Sequence, residues 1–347
     1  MSPIYPLPRI ELISLAQVEE TRPVLLVTSP PAWEAVKERL RLPAAALLEV
    51  QEATLSHWEA LRARLGAWAG LHEAGQSPHP PSRLEKEAVV YAVGGGLTAD
   101  AGKYLASKLN LPLVCIPTAL TVDAFLTWAS GIRRDGCVYY IETKPPECLL
   151  VDLEEIGSAP AHLRAAGITD VLSIATGAWD WQFAEEKGMN PPGMAFTPWV
   201  YDAAQAILQG ALDCAAAAGR GDPGGLKQLL DCLAMEVQLC NLIGHSRPEE
   251  GSEHYFAYAV ENLSGHGWPH GDLVGPGILI AARLQGQATE RLEQALRDCH
   301  IPLDRLTEAM IAQTLRELPS YCRKHNLAFG IAHTPGQGET DEVLSRN

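Results

Sequence analysis

No apolar run in this 347-residue chain approaches membrane-spanning length. No two of its eight cysteines are spaced C-x-x-C, so neither a zinc ribbon nor a disulfide framework is written into the sequence. Basic residues are scarce: 27 Lys and Arg stand against 42 Asp and Glu, a formal charge of −15. That deficit speaks against nucleic acid or an anionic membrane as the main partner, because either would want a basic face. A small anionic ligand stays compatible, since helix dipoles and a few Arg or Lys side chains can hold one. Met1–Pro8 has no basic n-region and no apolar h-region, so the expectation is a reduced, cytoplasmic protein without membrane insertion. Internal repeats and low-complexity tracts are also missing.

What is present is ordinary for a soluble globular protein: 47% hydrophobic and 20% charged residues, in a length that suits two domains. The first half alternates short apolar runs with helical patterns. "PVLLVTS" (23–29) reads as a buried strand, "AWEAVKERL" as the helix after it, and "AALLEVQ" as a weaker strand. "SHWEALRARLGAWAGL" sets Trp58, Leu61, Leu65 and Trp68 at helical spacing. "AVVYAVGGG", a helix, and "LPLVCIPT" follow, and "CVYYIE" and "ECLLVDL" close this half. Apolar strands separated by helices predict a mostly parallel sheet covered on both faces. "GQSPHPPSR" (75–83) reads as a Pro-rich surface loop within it.

Beyond Asp152 helical periodicity takes over. "AHLRAAGITDVLSIATGAWDWQFAEE", "WVYDAAQAILQGALDCAAAAG" and "LKQLLDCLAMEVQLCNLIG" each read as a long, apolar-striped helix. The boundary falls near 154–160, giving an α/β domain over 1–157 and an α-helical domain over 158–347, with "TPGQGETDEVLSRN" a loose polar tail.

"YAVGGGLTADAGKYLA" (91–106) turns a strand through three glycines into a helix, which offers backbone N–H groups and a positive dipole end to a phosphate. A Walker A loop does not fit, since Gly96 and Gly102 are one residue too far apart and Tyr104 follows the lysine. Gly94, Gly96 and Ala99 match the dinucleotide spacing G-x-G-x-x-[GA], although earlier strand–helix units precede it and "VCIPT" ends in Thr118 rather than an acid. A glycine-rich turn in which Asp100 merely supports the first helical turn and pairs with Lys103 fits these letters as well.

Three residues stand out in the helical half. Asp170 sits among small and apolar neighbours in "AAGITDVLSIATGAW", where a carboxylate must be paired or bind a metal. His254 lies on a helix in "EEGSEHYFAYAVE", four residues before Tyr258, and His270 opens "HGDLVGPGILIAARL". One carboxylate and two imidazoles make a three-ligand site with a fourth position open to substrate. Satisfied core histidines are the competing reading, and His266 is a further loop candidate.

Taken together, "GGGLTADAGKYLA", "IPTALTVDAF", "KPPECLLVDLEEIGSAPAHLRAAGITDVLS", "ATGAWDWQFAEE", "SRPEEGSEH" and "HGDLVGPG" resemble the iron-containing alcohol dehydrogenase and glycerol dehydrogenase superfamily, with "SRP…GSEH" pointing to its sn-glycerol-1-phosphate dehydrogenase branch. The resemblance implies an N-terminal parallel-sheet NAD(P)-binding domain followed by an all-α metal-binding domain, the dehydroquinate synthase-like architecture. It implies that Gly94, Gly95 and Gly96 cradle a pyrophosphate, with Asp100, Lys103, Thr118 and Thr121 around the cofactor. Asp123 falls on the family's aspartate near nicotinamide and substrate. Asp170, His254 and His270 fall on the metal-ligand positions, for zinc first and iron or nickel as alternatives.

Tyr258 stands where relatives often carry a second histidine, so Tyr258, His266 or a water must serve in its place. Thr28 replaces the acid that typically marks NAD preference, which leaves NADP acceptable. The implied chemistry is hydride transfer between NAD(P) and a ketone, dihydroxyacetone phosphate and sn-glycerol 1-phosphate being the favoured pair, in phospholipid biosynthesis. Arg247, Lys144 and Arg133 are the phosphate candidates, and a homo-oligomer is expected. A polyol dehydrogenase acting on an unphosphorylated substrate is the alternative. A sugar-phosphate cyclase of the 3-dehydroquinate synthase type is disfavoured by Lys103 and Asp170.

Overall fold

A computed structural model describes residues 5–73 and 88–335, apart from the side chains of residues 66–73, so the Pro-rich loop and most of the polar tail lie outside the described residues. The chain divides into two compact units. Tyr5–Arg134 with Val138–Ala159 form one; Asp135–Cys137 and the chain from Pro160 belong to the other.

The first unit is built on six strands: β1 (Arg9–Leu12), β2 (Val24–Thr28), β3 (Ala44–Glu49), β4 (Val89–Gly94), β5 (Leu113–Pro117) and, after a separate hairpin, β8 (Cys148–Val151). They lie in the order β1-β8-β5-β4-β2-β3, and every pairing is parallel. Strands β2, β4, β5 and β8 are buried along their whole length, which is why they read as unbroken apolar runs rather than alternations. Each fully buried Val or Leu in them contributes roughly 1.5–3 kcal/mol. Leu26, Val89, Val93, Ile116 and Leu150 share one core cluster with Leu15 and Leu40. Helices α1 (Pro30–Val36), α2 (Leu55–Glu73) and α3 (Gly96–Leu109) provide the crossovers. Trp58, Leu61 and Leu65 of α2 are buried as the spacing predicts, and the Trp58 indole N–H donates to the Glu52 carbonyl at 2.9 Å.

Two strands escape the sequence reading. β1 is a four-residue edge strand with an exposed first and last residue, too short to show a period. "CVYYIE" is a strand, β7 (Cys137–Glu142), but it pairs only with β6 (Ala129–Arg134) in a separate two-stranded sheet. β6 carries a glycine and two arginines, so it presents no apolar run to recognise.

In the helical unit α8 (Pro198–Arg220) and α9 (Pro223–Ile243) are long helices, as expected, joined at Gly221, whose φ of 80° ends α8 in a left-handed turn. The segment read as one helix over 161–186 is instead three: α5 (Ala161–Arg164), α6 (Ile168–Leu172) and α7 (Ile174–Glu186). Gly167 and Ser173 mark the breaks, and the Ser173 hydroxyl donates to the Thr169 carbonyl at 2.8 Å, the side-chain competition that bends helices. Helices α10 (Ser252–Ser264), α11 (His270–Leu284), α12 (Glu290–Asp298) and α13 (Glu308–Lys324) complete the unit, α4 (Leu153–Ser158) having closed the first. All eight cysteines are free thiols, seven of them buried. Among the described residues no helix is long and apolar enough to cross a membrane.

Candidate functional site

The glycine turn joins β4 to α3. Gly94 has a φ of 149°, and a Cβ there would lie 2.7 Å from the Thr98 hydroxyl. A Cβ on Gly95 would meet Thr121 Oγ1 at 3.0 Å, and one on Gly96 would overlap Val122. The turn therefore has to be glycine so that the 118–128 loop after β5 can close against it. The Thr118 N–H donates to the Gly94 carbonyl at 3.3 Å, and the Gly96 N–H to Thr121 Oγ1 at 3.4 Å. The N-cap of α3 is Gly95, which has no side chain to cap the helix, and residues 95–97 are half-exposed. A glycine helix start with a positive dipole end suits the pyrophosphate of a dinucleotide.

Asp100 and Lys103 form the i,i+3 pair that one reading of the sequence offered. The Lys103 side chain is wholly buried; its ammonium pairs with Asp100 Oδ1 at 3.0 Å and donates to Thr127 Oγ1 at 2.8 Å and to the Ala129 carbonyl. These bonds pin α3 to the start of β6, and they commit the lysine to the protein rather than to a ligand. Asp123 is half-buried on the loop, and its carbonyl accepts from the Leu126 N–H at 2.7 Å in the turn that follows it. Thr28 is buried, its hydroxyl donating to the Val93 carbonyl at 2.7 Å. The end of β2 thus carries no charge.

The helical unit gathers Asp170, His254 and His270, with one ligating atom of each within 4.8 Å of the others. Asp170 comes from the short helix α6, and the break at Gly167 is what separates its turn from α5. His254 lies in the first turn of α10, and His270 is the first residue of α11. His270 Nε2 is 2.8 Å from Asp170 Oδ1, across 100 residues of chain. His254 Nδ1 is 2.9 Å from Glu253 Oε1. Burial by itself would lower the pKa of His254; the bond to Glu253 and its charge, with those of Glu250 and Asp170, reverse this and raise it to about 9. Surroundings that hold a proton so firmly favour a cation generally, and a divalent ion would displace that proton. A carboxylate and two imidazoles are an established donor set for zinc or another first-row ion, so the residues fit a metal.

Neighbouring contacts fix the start of α10. Gly251 and Gly177 of α7 approach so closely that a Cβ on Gly251 would lie 2.8 Å from the Gly177 Cα. Asp180 Oδ2 accepts from the Ser252 N–H at 2.8 Å and from its hydroxyl at 2.5 Å. Asp180 and Glu253 were not singled out from sequence; the acidic residue beside the histidine in "GSEH" was the available signal.

The remaining candidates divide. Tyr258 is buried with its ring 6.0 Å from that of His254, and its phenol donates to Glu250 Oε1 at 2.9 Å. His266 is exposed, its ring tilted against that of Trp268 at 5.0 Å, and is not part of the Asp/His cluster. Arg247, a phosphate candidate by sequence, is buried and donates to the carbonyls of Asp180 at 3.0 Å and Phe329 at 2.7 Å, an internal tie.

Comparison with known proteins bears on both halves. The sequence model described as iron-containing alcohol dehydrogenase matches residues 13–160. A glycerol-1-phosphate dehydrogenase [NAD(P)+] of Metallosphaera sedula is 29% identical over 314 residues, covering 87% of this chain and 84% of that protein. One from Saccharolobus islandicus is 27% identical over 293 residues, covering 84% and 78%. The crystal structure of a probable glycerol dehydrogenase from Sinorhizobium meliloti 1021 superposes with a TM-score of 0.67 at 17% identity, covering 99% of this chain and 98% of that one, a likeness of fold. The iron-containing alcohol dehydrogenase sequence model thus lies on the six-stranded unit, and similarity to glycerol-1-phosphate dehydrogenases runs on through the helical one.

Proposed function

We propose that this chain is a metal-dependent NAD(P)H oxidoreductase that interconverts dihydroxyacetone phosphate and sn-glycerol 1-phosphate. The observation that carries the metal chemistry is the grouping of Asp170, His254 and His270 within 4.8 Å. The substrate pair is supported by the glycerol-1-phosphate dehydrogenases that align over most of the chain. A divalent cation on those three residues, zinc in the first instance, supplies Lewis-acid polarisation of the carbonyl and NAD(P)H the hydride.

The protein's own part is binding and orientation. Gly94, Gly95 and Gly96, with the start of α3, hold the pyrophosphate through backbone N–H groups. Thr118 and Thr121 line the cofactor from the facing loop, and Asp123 orients the nicotinamide end. Thr28, engaged with Val93, puts no negative charge against a 2′-phosphate, so NADH and NADPH both serve. Tyr258 is our choice for the side chain that moves the proton to the nascent alkoxide, because its phenol is already hydrogen-bonded to Glu250 beside His254. His266, turned to solvent on its loop, is not needed for that step.

The test is NADH and NADPH oxidation with dihydroxyacetone phosphate beside dihydroxyacetone, before and after chelation and zinc return. The expected result is turnover that chelation abolishes, zinc restores, and the phosphorylated ketone dominates. Turnover of dihydroxyacetone alone would move the chain to polyol oxidation. No turnover of either ketone by zinc-loaded protein that still binds NADH would overturn the reading.

A further inference from the structure

We propose that Glu253 is a positioning residue for the metal centre: its buried carboxylate holds the Nδ1–H of His254 and thereby aims Nε2 at the ion. The inference deepens the metal reading above and rests on it. Glu253 has no solvent exposure. Its Oε1 accepts from the Gly251 N–H at 2.6 Å and faces His254 Nδ1 at 2.9 Å, while Oε2 accepts from the Thr176 hydroxyl at 2.7 Å. Thr176, on α7, is itself fully buried. Both carboxylate oxygens are thus occupied, and the side chain has no second place to go.

Charge makes the same point. Among the described residues the ion-pair partner of Glu253 is His254, with neither lysine nor arginine against it. A carboxylate removed entirely from water needs compensation, and donors alone rarely supply it. Here the compensation runs through the imidazole. An ionised carboxylate only accepts, so the proton between the two residues resides on Nδ1, and the lone pair left on Nε2 is the one available to a ligand. Carboxylate–histidine–metal arrangements of this kind fix the tautomer and increase the basicity of the ligating nitrogen.

The geometry is unusual for adjacent residues, which do not normally face each other on a helix. It arises because His254 and Glu253 lie at the helix start, where Glu253 folds back onto the Gly251 N–H. Ser252, between them and Gly251 in the chain, is held from the other side by Asp180. The start of α10 is therefore clamped by two carboxylates, and only one of them touches the histidine.

The experiment is zinc titration of chelator-stripped enzyme against a chromophoric competitor, for the wild type, Glu253→Gln and Thr176→Val, with urea unfolding of each stripped protein. Removing such an outer carboxylate is expected to weaken zinc about 10- to 100-fold, with a smaller loss for Thr176→Val. The stripped variants should unfold close to the wild-type midpoint. Wild-type zinc affinity in Glu253→Gln, with or without a lowered midpoint, would overturn the inference and leave Glu253 a packing residue. Should Glu253→Gln fail to fold, Thr176→Val decides, since unchanged affinity there counts against the proposal. Failure of the wild type to bind zinc would be a different result, removing the metal reading itself.

Discussion

At Asp180 four donors converge on one buried carboxylate: the Ser252 N–H and hydroxyl, the Ile331 N–H and the Gln285 amide. Burial nevertheless dominates. It raises the carboxyl pKa from 3.8 to about 6, the Ser252 bond opposing and the Glu253 charge assisting. Since the folded value lies above the unfolded one, the contribution to stability is complete below pH 3.8 and is lost as pH rises through about 6. A shift of this size corresponds to roughly 3 kcal/mol. Urea unfolding of the wild type should therefore lose about that much stability between pH 4 and 7 relative to Asp180→Asn, which cannot titrate at this site. Parallel pH profiles for the two proteins would show that Asp180 is ionised throughout. Asparagine brings two N–H donors where the protonated carboxyl brings one O–H, among four donors already aimed at the site, so its curve should lie lower at acid pH.

Among the elements, the turn from β4 into α3 makes the sharpest demand on sequence. A methyl group on Gly96 would run into Val122 of the facing loop. Gly96→Ala should displace that loop and with it Thr121, weakening NADH binding at least about tenfold, the cost of roughly 1.4 kcal/mol in lost contacts. Nucleotide fluorescence titration measures this directly, and unchanged affinity would place the cofactor elsewhere. The turn was legible because its constraint is local: three glycines between an apolar strand and a helix. The buried strands were legible for the same reason. β6 was not, because its order comes from outside itself, through Lys103 on the Ala129 carbonyl and the Ser130 hydroxyl on the Asp100 carbonyl at 3.0 Å. The helix break around Gly167 was hidden too, since the apolar period runs on through 161–186 while Ser173 and Gly167 interrupt the backbone. Asp170 could be singled out as a misplaced charge, but its turn could not. The i,i+3 spacing of Asp100 and Lys103 was legible as an ion pair, and the two do pair at 3.0 Å.

For the molecule as a whole, the glycine turn belongs to one compact unit and the Asp/His/His group to the other. The Asp/His/His group is assembled from three helices, so no local window of sequence contains it; each residue could be singled out alone, and the family motifs in order tied the three together. Glu253 and Asp180 lay deeper, since what they do depends on which atoms surround them. The same compactness has a consequence for the cysteines. Burial pushes the thiols of Cys115, Cys214 and Cys322 up to about 12 and that of Cys232 to about 11. The thiolate is the reactive form, and these groups hold back both the charge and the access that reaction needs. Cys240 alone is partly exposed. A chromogenic disulfide reagent should consume one thiol per native chain and eight after unfolding; more than one fast thiol would reveal an opening of the core. An eight-cysteine protein would then behave as a single-cysteine protein toward labels, and a probe on Cys240 could report on the helical unit without any residue being replaced.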